Sequence, residues 1–155
     1  MHKPASFLFV CLGNICRSPL AEGVFRHFSE KYQKKFIIDS AGTASYHVGE
    51  PPDERTVRQA LSRGIDLRNI RARQFRKSDF EKFDLIYVMD KSNLRNVLSL
   101  TDKEEHRRKV ELLLASYPEC GIDEVPDPYY GGPDGFEYVY ELVYGACERI
   151  IQKHL

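Results

Sequence analysis

The chain has 155 residues, of which 30% are charged and 42% hydrophobic, with Lys plus Arg balancing Asp plus Glu at 23 each. That length suits one domain over residues 1–155 with its own core. Zero net charge gives no global field toward nucleic acid or an anionic membrane, so any bound anion must be caught by local geometry. No apolar run approaches the length of a membrane span, and the stretch after Met1-His2-Lys3-Pro4 is too short for a secretory signal, so a cytoplasmic location is expected. In that compartment the four cysteines, Cys11, Cys16, Cys120 and Cys147, read as thiols and not as a disulfide framework.

Strand and helix signals alternate along the chain, with no repeat between them. Ser6 to Val10 (SFLFV) is a continuous apolar run, the pattern of a strand buried on both faces. Pro19 to Tyr32 carries Leu20, Val24, Phe25 and Phe28 at helical spacing, with Ser18 as its expected cap and Pro19 in its first turn. Phe36 to Ile38 predicts a second strand, closed by Asp39-Ser40-Ala41-Gly42. Asp53 to Arg63 predicts a helix ended by Gly64. Asp84 to Met89 reads as a central strand, Lys91 to Leu98 as a short helix, and Val110 to Leu114 as the last strand. Phe136 to Lys153 closes the chain as an amphipathic helix. Such alternation implies a parallel sheet covered by helices on both sides, whose ligands sit at the carboxyl ends of the strands.

The first strand-to-helix junction, VCLGNICRSP, is therefore the expected site. Cys11 follows the strand, Arg17-Ser18 opens the helix, and Leu12 to Cys16 must wrap around whatever lies at the sheet edge. Gly13 and Asn14 tolerate positive φ, so the backbone N–H groups of this loop can turn inward as an anion nest, reinforced by the helix N-terminus. A thiol in that field, beside a guanidinium, is expected to ionise more readily than a free cysteine. Arg17 adds a planar fork that can hold two phosphate oxygens at once. Nucleophile and clamp around one cradle point to phosphoryl transfer onto sulfur, then hydrolysis of the cysteinyl phosphate. A bare Cys-x5-Arg is a weak signal; the strand before it, the turn formers inside it and the Ser-Pro after it make it specific.

VCLGNICRSPLAEGVF, with DSAGT (Asp39 to Thr43), MDKSN (Met89 to Asn93) and DPYY (Asp127 to Tyr130), closely resembles the low-molecular-weight protein tyrosine phosphatases, in order and over nearly the whole chain. The resemblance implies a single three-layer α/β/α domain with a four-stranded parallel sheet of Rossmann-like type. It implies Cys11 as nucleophile, Arg17 as phosphate clamp and Asp127 as general acid and then base. Leu12, Gly13, Asn14, Ile15, Cys16 and Ser18 match the phosphate-binding loop, with Asn14, Ser18 and Ser40 at positions that hold its shape. Asp127 also fits chemically, as a carboxylic acid able to protonate a leaving phenolate, although Asp-Pro alone reads first as the start of a turn and only the resemblance reverses that preference. Tyr46, Tyr129 and Tyr130 are candidate walls of a substrate slot deep enough to favour an aryl phosphate over phosphoserine.

The resemblance leaves alternatives in view. Relatives acting on phosphoarginine tend to carry threonine where Ile15 stands, which favours phosphotyrosine proteins or peptides here, with inorganic phosphate and other oxyanions as product or inhibitor. In relatives with the same cysteine pair, the thiol matching Cys16 can form a disulfide with the nucleophile; a buried helix-start cysteine is the competing reading. Zinc at Cys11 and Cys16 lacks partners at ligand spacing, so no metal or other cofactor is expected. An arsenate reductase of the same fold would need a further cysteine relay, and no cysteine lies between Arg17 and Glu119. A noncatalytic phosphate-binding module would lose the nucleophile or the acid, and this chain keeps both. Animal members carry a histidine brace where Ile70 stands, which would leave the loop to Ser18 and Ser40 alone. Asp90 is read as a loop-positioning residue or a helix cap, and Arg68 to Lys77 as a solvated basic face. No nucleic acid or membrane partner is expected, and the chain is read as a monomer or a weakly self-associating one.

Overall fold

The computed structural model describes residues 3–128 and 133–155. Four strands form one parallel sheet in the order β2-β1-β3-β4: β1 (Ser6–Cys11), β2 (Ile37–Gly42), β3 (Leu85–Val88) and β4 (Val110–Leu112). β1 is central, with β2 on one side and β3 on the other. The chain therefore leaves β1 toward opposite edges of the sheet, and a crevice opens at its carboxyl end.

Alternation along β1 divides the core. Phe7, Phe9 and Cys11 point to one face, where helices α1 (Arg17–Lys31) and α6 (Pro133–Lys153) bury Phe25, Phe28, Val143 and Ile150. Leu8 and Val10 point to the other, against Phe75, Phe80, Phe83, Ile86 and Val97. The latter group is contributed in part by α3 (Asp79–Lys82) and α4 (Lys91–Leu98). Helices α2 (Glu54–Leu61) and α5 (Glu104–Arg107) complete the set. Strict alternation places the Cys11 side chain beneath α1, with 3% of its surface exposed.

Several boundaries differ from expectation. β2 runs on through Asp39, Ser40, Ala41 and Gly42 because these pair in register with Leu8, Phe9, Val10 and Cys11, so ladder hydrogen bonds override the turn propensity of the sequence. α1 starts at Arg17 with Cys16 as N-cap, and no side chain caps it. Ser18 is therefore inside the helix and is not its cap; its hydroxyl is used elsewhere, as described below. β4 stops at Leu112, and Leu113–Ser116 turn as a 3-10 segment that buries Leu113 and Leu114. The single-turn helices α3 and α5 carry no periodicity that a sequence could display. The basic segment is not uniformly solvated: the Arg73 guanidinium meets Asp39 and Asp79 at 3.1 and 3.0 Å, while Arg76 and Lys77 stay exposed. Among the described residues, no helix is long and apolar enough to cross a membrane.

Candidate active site

The loop between β1 and α1 is built around one buried side chain. Asn14, 1% exposed, adopts φ of 58°, the left-handed region that asparagine tolerates better than most residues. Its amide nitrogen donates to Ser18 Oγ at 2.7 Å and to Ser40 Oγ at 3.0 Å, and its Oδ1 accepts the Arg73 backbone N–H at 3.0 Å. Ser40 in turn donates to Glu22 Oε1 at 2.6 Å, and the other Glu22 oxygen pairs with Arg26 at 2.8 Å. Three of the four hydrogen-bonding capacities of a buried amide are thereby used, which fixes the loop in one conformation. Ser18 and Ser40 hold the loop as expected, but not alone: the Arg73 main chain and Glu22 complete the support, while Ile70 packs against the apolar core.

The order of protons in this chain decides what Cys11 meets. Ser18 Oγ already accepts from Asn14, so its own hydrogen is available to Cys11 Sγ at 3.0 Å or to Ala41 O at 3.4 Å. The backbone N–H of Asn14 also points at the sulfur, at 3.3 Å. The Asn14 N–H and the Ser18 hydroxyl thus both lie within hydrogen-bond distance of the sulfur.

Glycines beside the loop answer to space more than to dihedral freedom. Gly13 does not take a positive φ, contrary to expectation; a Cβ there would lie 3.0 Å from the His47 ring. At Gly42 a Cβ would come within 2.7 Å of Leu12 O, so the end of β2 can lie against the loop only without a side chain. Thr43 and Ala44 then donate to the carbonyls of Cys11 and Leu12, each at 2.9 Å.

Arg17 is 3% exposed and reaches the crevice from the first residue of α1. One terminal nitrogen donates to Asp90 at 2.8 Å and to Val125 O at 3.0 Å; the other lies 3.9 Å from Asp127. Burial pulls the guanidinium pKa down, but the sulfur of Cys11 and the carboxylates of Asp90 and Asp127 outweigh it and hold the pKa above the ordinary arginine value. Asp90 is also a helix cap, one of the two expected readings: its other oxygen accepts from Asn93 N at 2.7 Å in a reciprocal capping box at the start of α4.

Cys11, Leu12, Gly13, Ile15, Cys16, Arg17 and Asp127 together line a cavity of about 200 Å³, with Tyr46 and His47 at its mouth. Tyr46 is 74% exposed, so it offers an edge of the opening and not an enclosed wall. Tyr129 and Tyr130 lie outside the described residues. Cys16 is buried, and desolvation pushes its thiol up to about 12, against the lowering contact of the Thr56 hydroxyl. Cys11 and Cys16 are both free thiols. Cys147 is fully buried, with its pKa pushed up by burial, and Cys120 donates to Ile122 O at 3.3 Å. Among the described residues, no group of three His, Cys, Asp or Glu gathers as a metal site. Sequence reasoning missed Glu22, His47 and the Arg73 main chain; only the AEG after SPL placed Glu22 on the same helix as Arg17, and nothing local announced the others.

A family model described as low molecular weight phosphotyrosine protein phosphatase matches residues 6–155. The chain is 45% identical over 151 residues to the low molecular weight phosphotyrosine protein phosphatase of Gallus gallus, covering 96% of this chain and 94% of that one. Among solved structures it is similar to a protein tyrosine phosphatase from Entamoeba histolytica with Hepes in the active site, at a TM-score of 0.90 and 41% identity, covering 96% and 95% of the two chains. It is also similar to a Drosophila arginine phosphatase, at a TM-score of 0.88 and 32% identity, covering 98% and 97%.

Proposed function

The chain belongs to the low molecular weight phosphotyrosine protein phosphatase family, and from that premise we propose that it hydrolyses phosphotyrosine in proteins or peptides through a cysteinyl-phosphate intermediate. The observation that carries this reading is the convergence of Cys11, Arg17 and Asp127 on one small cavity, with the Asn14 N–H directed at the Cys11 sulfur and the Ser18 hydroxyl beside it. Cys11 attacks phosphorus as a thiolate while the loop N–H groups and Arg17 take the equatorial oxygens. The Arg17 nitrogen bound by Asp90 and Val125 O sets the plane of the guanidinium, which leaves its remaining N–H groups for the phosphoryl oxygens. Asp127 protonates the departing phenolate, and in the second step it takes a proton from the water that attacks the phosphocysteine. The protein acts as one domain in the cytoplasm, as a monomer or a weakly associating one.

Rates on matched phosphotyrosine, phosphoarginine and phosphoserine peptides test the substrate class, and acid quenching tests for phosphocysteine. The phosphotyrosine peptide should be turned over fastest, by at least about tenfold over phosphoserine. Preference for phosphoarginine would replace this reading with the activity named for the Drosophila relative. Failure to trap a phosphorylated Cys11 would remove the covalent route.

Asp127→Asn is expected to slow hydrolysis of phosphotyrosine peptides by about 100-fold, the scale of general acid catalysis. The loss should be several-fold smaller for para-nitrophenyl phosphate, whose leaving group needs less protonation. Equal losses on the two substrates would assign Asp127 to binding.

Cys16 is proposed as the redox partner of Cys11. Peroxide oxidises the Cys11 thiolate to a sulfenic acid; the Cys16 sulfur then attacks that sulfur, and water leaves with the Cys16 proton. Burial keeps Cys16 protonated at neutral pH, so Cys11 is the sulfur that meets the oxidant first. After peroxide and then dithiothreitol, Cys16→Ser should recover less than about one fifth of its own initial rate where the native chain recovers most of it. Equal recovery would leave Cys16 as a packing residue.

A further inference from the structure

One group at the mouth of the cavity has chemistry that the proposed reaction does not use. His47 Nδ1 lies 3.1 Å from Glu50 Oε2. The opposite edge of the ring rests on Gly13 of the phosphate loop, where a Cβ would stand 3.0 Å from Cδ2 and 3.7 Å from Nε2. The turn carrying both residues is pinned to a neighbouring segment: Gly49 N donates to Ala72 O at 2.8 Å, and Ala72 N donates back to Glu50 O at 2.9 Å. Glu50 N donates to His47 O at 2.9 Å, which closes the turn. The imidazole is thus oriented from both edges on a fixed backbone.

That orientation settles its tautomer. A carboxylate only accepts, so the ring donates from Nδ1 to Glu50, and a ring holding that one proton presents an Nε2 lone pair on the edge that lies against Gly13. A doubly charged oxyanion in the cradle repels that lone pair. A second proton, placed on Nε2, converts the repulsion into a charge-assisted donor, and Glu50 balances the cation from behind. The titratable side chains that line the same cavity are Cys11, Cys16, Arg17, Tyr46 and Asp127, with Glu50 on the ring's own turn. Among the described lining residues Arg17 is the cation that opposes the added proton, and its charge is already shared with Asp90 and Asp127.

We propose that the His47–Glu50 pair is an anion-responsive wall of the cavity: filling the cradle with a dianionic oxyanion draws a proton from solvent onto His47 Nε2, which makes His47 a specificity-determining donor for doubly ionised ligands. This rests on reading the cradle as the phosphate site.

Calorimetry with sulfate, which does not itself titrate near neutral pH, separates the two claims. Titrations in two buffers of different ionisation enthalpy count the protons taken up on binding. They are run on Cys11→Ser, which removes the thiol from the count, and on the double variant Cys11→Ser/His47→Asn. The single variant should take up a substantial fraction of a proton; the double variant should lose most of that uptake and bind sulfate about fivefold more weakly. Glu50→Gln in the Cys11→Ser background should lower the uptake as well. Equal uptake by the single and double variants overturns the role of His47 while leaving the cradle intact. Failure of every variant to bind sulfate overturns both. In the Cys11-containing chain, His47→Asn should raise KM for a phosphotyrosine peptide about fivefold at about pH 6, and far less at about pH 8.5, where a wall histidine carries no second proton. A loss of the same size at both pH values would make the residue a steric wall alone.

Discussion

Cys11→Ser is expected to abolish hydrolysis, by about 10⁵-fold or more, while the folded chain should still bind sulfate in the cradle. The size follows from the chemistry of the attacking atom. The sulfur sits 3.0 Å from the Ser18 hydroxyl and 3.3 Å from the Asn14 N–H. A serine hydroxyl in its place gives up its proton far less readily than a thiol and is a much weaker nucleophile. Loop shape should survive, because Asn14 bonds to Ser18, Ser40 and the Arg73 main chain without help from the sulfur. Steady-state rates, far-UV circular dichroism and sulfate titration together check the prediction. Residual turnover above about 1% would transfer the nucleophilic role to another group, and loss of sulfate binding would mean that the thiolate shapes the cradle.

Arg17→Lys should lower kcat/KM by about 1,000-fold even though the charge is kept. On the proposed mechanism the guanidinium performs two tasks with one rigid plane: one terminal nitrogen is tied to Asp90 at 2.8 Å and Val125 O at 3.0 Å, and the remaining N–H groups take phosphoryl oxygens. An ammonium is a point donor with no plane. If it reaches Asp90 it abandons the cradle, and if it reaches the cradle it leaves Asp90 and Val125 O short of a partner. The second consequence carries a stability cost of roughly 2 kcal/mol, below the range for breaking a fully buried pair, since Asp90 retains partial solvent access. Removing Asp90 instead, as Asp90→Asn, should cut kcat more than KM, because the guanidinium is still present but no longer fixed in angle. Chemical denaturation reads the stability term. A lysine variant with near-native kcat/KM would show that charge alone suffices and that bidentate geometry contributes little.

Much of the site was legible because its chemistry is compressed into seven consecutive residues. Cys11 to Arg17 must share a crevice wherever a buried strand hands over to a helix, and SFLFV followed by a helical pattern specified that junction. Asp127 was legible only through its resemblance to a known loop, since Asp-Pro in isolation reads more readily as a turn. The errors share a physical origin. Ser18 has the composition of a cap, yet the helix already begins at Arg17, and the Ser18 hydroxyl is taken up by Asn14 and the Cys11 sulfur, which the backward turn of the loop brings near. Asp39 to Gly42 has the composition of a turn, yet β1 offers a complete ladder of partners and the segment remains strand.

What the sequence determined by itself was the alternation of elements, the parallel sheet and the adjacency of thiol and guanidinium, because each depends on hydrophobic period or on residues a few positions apart. What only the tertiary structure decided was the company those groups keep: Asn14 with Ser40 and the Arg73 backbone, Arg17 with Asp90 and Val125 O, and His47 with its edge on Gly13. Such contacts span 26 to 108 positions in the chain for the bonds made by Asn14 and Arg17. No local propensity encodes them. They exist because the sheet brings the ends of β1, β2 and β3 to one edge, where buried polar groups must find partners or remain costly to bury.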